Sequence, residues 1–377
     1  MTEPKKQKIA LISDWFLPRI GGIELHVRDL ALNLKASGQE VHVITTTPGF
    51  HSLEGIPIHR LKTRLLPFFK IAYTSQLTRA LREILLQNRF DILHSHSSVI
   101  TPLAYIAIYL ANQLRIPSLI TNHSLLEKSV YFLKLLDTFY GWKKWPVQLT
   151  SISSVAAEGF MKSSGEKKIT LLPNGIETSE WKIVKSCQSS PVQITTVMRL
   201  HPKKRGMALI QAIEKVKAKL SPSFKFQLNI IGDGKEKKRL EKKVNSLNLQ
   251  KEIKFLGYRS RDEIKKIFEQ TDFFVLPTIK EAFGIAVLEA KAAGIPVVAM
   301  SYGGVRDMIE HRKEGFLANN DEEFSDYILE LIQNEKLRNE MSVNTIKTLD
   351  RFDWKQVIQK HLKIYQVAIE KNRCTDF

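Results

Sequence analysis

The chain has 377 residues, 43% hydrophobic and 25% charged, which is too long for one ordinary hydrophobic core and too apolar for a disordered chain. Its 57 Lys and Arg exceed its 39 Asp and Glu by 18, an imbalance that favours phosphate-bearing partners such as nucleotides, anionic lipids or nucleic acid. The two cysteines, Cys187 and Cys374, exclude a disulfide framework and a cysteine-based zinc site and fit a reducing compartment.

The opening MTEPKKQ runs into the short apolar stretch IALIS, without the longer apolar region and cleavage site of a signal peptide. The longest apolar run, Leu103 to Ala111, is roughly half of what a bilayer span needs. The expectation is a cytoplasmic protein whose membrane contact, if any, is peripheral at the inner face.

KIALISD (8 to 14) reads as a buried strand, and IELHVRDLALNLKASG after it as an amphipathic helix stopped by Gly38. The alternation continues with strands VHVITT (41 to 46) and IPIHRL (56 to 61), a helix near 75 to 88, DILHSHS (91 to 97), a helix near 101 to 113, SLITNHS (118 to 124) and QLTSIS (148 to 153). Continuous apolar strands separated by helices predict a parallel sheet covered on both faces. A second series follows the polar stretch 182 to 191: QITTVMRL, a helix near 206 to 219, FQLNIIGDG, a helix near 235 to 247, IKFLG, FFVLP, a helix near 285 to 293 and PVVAM. The α/β pattern therefore predicts two Rossmann-like domains, residues 1–182 and 183–352. A last helix, 353–377, caps one or the other and is free to cross back to the first. Open parallel sheets take ligands beyond the carboxyl ends of their strands, so two such sheets predict an interdomain cleft.

Chemistry-bearing residues gather at those strand ends. In EAFGIAVLEA, a helix opening around Phe283, Gly284 and Ile285 offers backbone N–H groups to a phosphate, and Glu281 and Glu289 flank it at a span that suits the two ends of a sugar nucleotide. The alternative is a pair of surface glutamates. RLHPKKRG supplies Arg199 and Lys204 for a diphosphate, whereas Lys203 and Arg205 read as solvated surface. The loop DWFLPRIGGIE carries Gly21 and Gly22, which permit close backbone approach but do not make a GxGxxG dinucleotide fingerprint. His123 ends an apolar strand and is either functional or a hydrogen-bonded structural histidine. His94 and His96 resemble a metal pair without a third ligand at suitable spacing, so no metal is expected.

Together the GG loop, LHSHS, TNHS, LPNGIE (172 to 177), RLHPKKRG, IIGDG, FLGY and EAFGIAVLEA resemble glycosyltransferase family 4 over nearly the whole chain. The resemblance implies the GT-B fold and retaining transfer of a hexose from a nucleotide diphosphate. The first domain would bind the acceptor and the second the nucleotide sugar. It implies diphosphate binding by Arg199 and Lys204, contact of Glu281 with the donor sugar and of Glu289 with ribose, and orientation of sugar and acceptor by His123 and the Gly21-Gly22 loop. SDWFLPRIGGIELHV, HSHSS and TNHSL further resemble glycosyltransferases acting on phosphatidylinositol, the catalytic chain of the N-acetylglucosaminyltransferase most and mannosyltransferases more distantly. A UDP-sugar donor is thereby favoured over a GDP-sugar, with a lipid or glycan acceptor, no other cofactor, and no DxD sequence to bridge the donor through a metal. A nucleotide-binding protein without chemistry is the non-enzymatic alternative, and nucleic acid is not an expected partner, since no stacking platform or recognition helix is visible. Two segments, RLKTRLLPFFK (60 to 70) and YFLKLLDTFYGWKKWP (131 to 146), interleave cations with aromatics in the manner of a surface that docks on anionic membrane.

Overall fold

The computed structural model describes residues 6–62, 75–99, 101–127, 130–131, 134, 142–183 and 190–374. It divides into two compact units, Met1–Gly175 with Trp354–Phe377, and Ile176–Asp353.

In the first unit, β1 (Lys8–Ser13), β2 (Glu40–Thr45), β3 (Ser52–Leu53), β4 (Ile56–Arg60), β5 (Ile92–Ser97), β6 (Ser118–Asn122), β7 (Val147–Ser151) and β8 (Thr170–Leu171) form one sheet. Its order is β3-β4-β2-β1-β5-β6-β7-β8, parallel except for the β3–β4 pair. Successive strand residues face opposite sides, so Ile9 and Leu11 enter one core with Val27, Leu30 and Val357, while Ala10 and Ile12 enter another with Leu81, Leu103 and Ala107. Both faces are dry, which is why these strands are apolar without alternation.

The second unit holds β9 (Val192–Val197), β10 (Phe226–Ile231), β11 (Ile253–Gly257), β12 (Phe273–Leu276), β13 (Val297–Met300) and β14 (Gly315–Ala318). All are parallel, in the order β11-β10-β9-β12-β13-β14. The order reverses beside β9 and β12, the place where open α/β sheets leave a crevice at their carboxyl edge.

The boundary lies earlier than residue 182. Ile176 donates its N–H to the Phe352 carbonyl at 2.9 Å, Thr178 hydrogen-bonds Asp353 at 2.6 Å, and the fully buried Trp181 packs on Phe268. Residues 176 to 182 therefore belong to the second unit. The helix Trp354–Arg373 lies on the first unit, with Val357, Ile358, Leu362 and Tyr365 in its core and Lys371 donating to the Val147 carbonyl at 3.0 Å.

The helix Pro102–Leu114 shows how strand ends organise this unit. Pro102 has no N–H, and the Thr101 side chain makes no cap, so the donors of the next two residues need an acceptor from elsewhere. Asp14, just past β1, supplies it: its carboxylate accepts from Leu103 N–H at 3.1 Å and Ala104 N–H at 3.2 Å. Burial pushes the Asp14 carboxyl up to about 7, against those two donors, which pull it down.

Asp14→Ala should therefore speed amide exchange across Leu103–Leu114 by roughly the fivefold or more that corresponds to losing about 1 kcal/mol of capping. The folded value of Asp14 lies above the unfolded one. Wild type should accordingly lose stability relative to Asp14→Asn as pH rises from 3.8 to about 7, and thermal melts of the two across that range would read the difference.

Candidate functional site

In the second unit the turn after β12 carries Glu281 and leads into the helix Ile285–Ala292. Gly284 initiates that helix in the left-handed region, at φ 97°, where an added Cβ would come within 3.0 Å of Val305 Cγ2. A glycine is required for both reasons. The Glu281 main chain is gripped by the loop after β13. Gly304 donates to the Glu281 carbonyl at 2.8 Å, and a Cβ on Gly303 would stand 2.9 Å from that oxygen. Phe283 is buried against Phe352, and Ile285 is half-buried.

The 3-10 turn Pro202–Lys204 follows β9 and is capped by His201, whose ring nitrogen accepts from Lys203 N–H at 3.2 Å. It delivers Lys204, whose Nζ meets Glu281 Oε2 at 2.6 Å, so two residues 77 apart in sequence form one charged pair at the helix opening. Arg199 is exposed on the same post-β9 loop. Arg205 departs from its reading as solvated surface: it donates to the Pro277 carbonyl at 3.0 Å and both oxygens of Asp321 at 2.8 and 2.7 Å, pinning the turn that presents Lys204. Its left-handed backbone, φ 58°, and these bonds give it a structural task.

Glu289 is buried and receives Arg261 Nε at 3.0 Å. Arg261, Gly303 and Gly304 carried no recognisable signal in the sequence, apart from the paired glycines, because their partners are Glu289 and Glu281 on distant segments. A further close approach holds the ends of β9 and β10 together: Cβ atoms on Gly232 and Gly234 would fall 2.0 Å from the Met198 carbonyl oxygen and 2.3 Å from that of Leu200.

The first unit gathers histidines. His96 Nδ1 lies 3.0 Å from His123 Nε2, and the main-chain N–H of His123 donates to the Ser97 carbonyl at 2.8 Å. His94 uses Nδ1 on Tyr365 Oη at 3.0 Å and Nε2 on Thr121 Oγ1 at 2.7 Å. Burial lowers all of these imidazoles, His123 to about 3, and neighbouring histidines add to the effect, so each is neutral at physiological pH. His94 and His96 do not act as a pair: the helix Gly22–Ala36 folds over the strand ends and brings His26 to within 4.8 Å, nitrogen to nitrogen, of His96 and His123, while His94 is outside this group. Sequence spacing hides this because the three lie on separate elements. Gly21 is extended and Gly22 opens that helix, where a Cβ on Gly22 would meet nothing within 4 Å.

Known proteins resemble this chain over most of its length. The model "Glycosyltransferase Family 4" matches residues 20–180 and the model "Glycosyl transferases group 1" matches residues 178–348. The chain belongs to the glycosyltransferases. A glycosyltransferase of Methanocaldococcus jannaschii is 26% identical, covering 96% of this chain and 99% of that one. A phosphatidylinositol N-acetylglucosaminyltransferase chain of Arabidopsis thaliana is 26% identical over 82% of this chain and 70% of its own length. The phosphatidyl-myo-inositol mannosyltransferase of Mycobacterium leprae is 24% identical over 96% and 97%. Among solved structures, a glycosyltransferase from Rickettsia africae superposes with TM-score 0.80 at 20% identity, covering 97% of this chain and 99% of that one. Anabaena HepE in complex with UDP superposes with TM-score 0.78 at 20% identity, covering 96% and 100%. The fold of this glycosyltransferase is thus GT-B.

Gly284→Ala should lower the thermal midpoint of the protein by a few degrees, because left-handed backbone costs a non-glycine residue about 1–2 kcal/mol and a unit of this size loses about 2–4 °C per kcal/mol. Differential scanning fluorimetry checks this, and an unchanged midpoint would remove the requirement for glycine at this helix opening.

Proposed function

We propose that this enzyme is a retaining glycosyltransferase that transfers N-acetylglucosamine or another hexose from a UDP-linked donor to a phosphatidylinositol-like lipid or glycan acceptor. The observation that carries the donor site is the Lys204–Glu281 pair at a helix opening that requires glycine. Arg199 and Lys204 hold the diphosphate and stabilise charge growing on the leaving nucleotide, the main chain of Phe283, Gly284 and Ile285 receives phosphate, Glu281 contacts the transferred sugar and Glu289 the ribose. The diphosphate competes with Glu281 for the Lys204 ammonium, so binding of donor releases the carboxylate toward the sugar. No protein nucleophile is evident, and retention then follows a front-face path in which the leaving phosphate helps to deprotonate the acceptor hydroxyl. His123 and the Gly21-Gly22 loop of the first unit orient acceptor and sugar.

Support for a UDP donor comes from the complex of HepE with UDP, and for a phosphatidylinositol acceptor from the names of the Arabidopsis and Mycobacterium relatives. The mannosyltransferase relative favours a second reading, a GDP-mannose donor in glycolipid or polysaccharide synthesis. A thermal-shift panel of UDP, GDP and their sugars separates the two, since only a ligand of the folded state raises the midpoint.

Glu281→Gln, Arg199→Ala and Lys204→Ala should each reduce transfer at least about a hundredfold while leaving the protein folded, the usual scale for a preorganised electrostatic contact. Turnover near wild type in all three would sink the donor-site assignment. Glu289→Ala should instead raise the donor KM, because ribose contacts change little between ground and transition states.

The proposed acceptor is reached at a membrane surface, and among the described residues no helix is long and apolar enough to cross one. Of the first cationic-aromatic segment, Arg64, Leu65, Leu66, Phe68, Phe69 and Lys70 lie outside the described residues. Arg60 donates to the Phe50 and Thr47 carbonyls at 2.9 and 2.6 Å and so belongs to the fold. Of the second, Phe132, Phe139 and Tyr140 lie outside. Trp142 and Trp145 pack half-buried against Phe160 and Tyr109, whereas Tyr131, Lys134, Lys143 and Lys144 are exposed. Vesicles containing anionic lipid should cosediment the protein at low salt, and Lys143→Glu with Lys144→Glu should weaken that binding. A wild type indifferent to such vesicles would favour a soluble acceptor.

A further inference from the structure

Glu289 takes a ligand only as well as its carboxylate is aimed. The last torsion of a glutamate side chain is broad, so the helix Ile285–Ala292 fixes the root of Glu289 and leaves the plane of its oxygens to be set from elsewhere. Arg261 sets it. As the first residue of the helix Arg261–Phe268, it donates from Nε to Glu289 Oε1 at 3.0 Å, with the glutamate side chain 9% exposed and the arginine 32%.

Arg261 is held in turn at both ends. At its root, the Glu263 N–H donates to Ser260 Oγ at 3.3 Å and the Ser260 N–H donates to Glu263 Oε2 at 2.8 Å, a reciprocal cap that pins the helix start. At its tip, the guanidinium carbon lies 5.8 Å from the indole centroid of Trp181, which is fully buried and packs on Phe268 of the same helix. The contrast with Lys204 is chemical. An ammonium on a flexible stem is a point charge that a diphosphate can draw away from Glu281, whereas a planar guanidinium seated on an indole keeps its direction and stays with Glu289. A partly exposed ion pair adds little to stability, but a carboxylate fixed in advance leaves less to be ordered when a ligand binds.

We propose that Arg261 is a positioning residue for the donor nucleotide: it holds the Glu289 carboxylate toward the ribose hydroxyls and so sets the preference of this site for a ribonucleotide over its deoxy forms. Arg261 acts through Glu289 and touches neither sugar nor phosphate. The role rests on Glu289 being the ribose contact, and Glu289→Ala tests that part on its own.

The full-length protein is titrated calorimetrically with UDP and with GDP, each beside its 2′-deoxy and 3′-deoxy forms. Wild type is expected to bind one ribonucleotide about tenfold more tightly than at least one of its deoxy forms, the scale of a hydrogen bond to a charged group. Arg261→Ala should bring that ratio to about one by weakening the ribonucleotide alone, and it should add nothing in the Glu289→Ala background. Arg261→Lys should keep part of the ratio, because a lysine Nζ still reaches Oε1 but without the fixed plane. A merely structural loss would weaken all of these ligands together, leave the ratio unchanged and overturn the proposal. Tighter ribonucleotide binding by Arg261→Ala would overturn it as well, since the pair would then oppose ribose. A ratio unchanged in Glu289→Ala, or absent from the wild type, would instead defeat the ribose reading and this role with it. Should Arg261→Ala not fold, Arg261→Gln, which keeps most of the bulk and removes the charge, is read in the same way.

Discussion

Parallel strand pairing forces the carboxyl ends of neighbouring strands to the same edge of a sheet, and the chemistry of this protein depends on that constraint. β1, β5 and β6 pair in parallel, so Asp14, His96 and His123, scattered over more than a hundred residues of sequence, emerge together. β9, β12 and β13 do the same for the Lys204 turn, Glu281 and the Gly303-Gly304 loop. The connecting helices then start where the strands stop, and their N-termini, with unsatisfied N–H groups, open onto the same edge.

Each unit uses those N-termini differently. In the first, Asp14 occupies the start of the helix Pro102–Leu114 with a buried carboxyl group, which makes that end structural. In the second, the helix Ile285–Ala292 starts at a left-handed glycine with no side-chain cap. Glu281 is held just before it by its main chain, so its carboxylate is available to Lys204. The carboxylate of Glu281 and the ammonium of Lys204 thus meet at an uncapped helix opening, the pair that the proposed donor diphosphate would rearrange. The glycines at 232, 234 and 303 serve the same end more passively, by letting neighbouring main chains approach within distances a Cβ would forbid.

Burial decides which charged residues are structural. Lys291, fully buried, bonds the buried Glu314 at 2.7 Å and the Met308 carbonyl at 3.0 Å, and Arg205 is committed to Asp321. Neither is distinguishable in sequence from the cations proposed to meet donor. The excess of 18 positive charges therefore says little about function until the committed ones are set aside.

The sequence by itself determined the strand-helix alternation of both units, because strands dry on both faces must be apolar throughout and their helices must be amphipathic. It also determined where the loops with glycine, histidine and glutamate fall. Helices such as Glu335–Lys347, whose buried residues follow no apolar stripe, and the four-residue strand β14 left too little pattern to read. The tertiary structure alone decided that residues 176 to 182 join the second unit and that Trp354–Arg373 covers the first, since hydrogen bonds and packing between distant segments set both. It alone paired Lys204 with Glu281 and Arg261 with Glu289, and brought His26 to His96 and His123. Such meetings are fixed by sheet order and helix placement, physical consequences of the whole fold that no local spacing encodes.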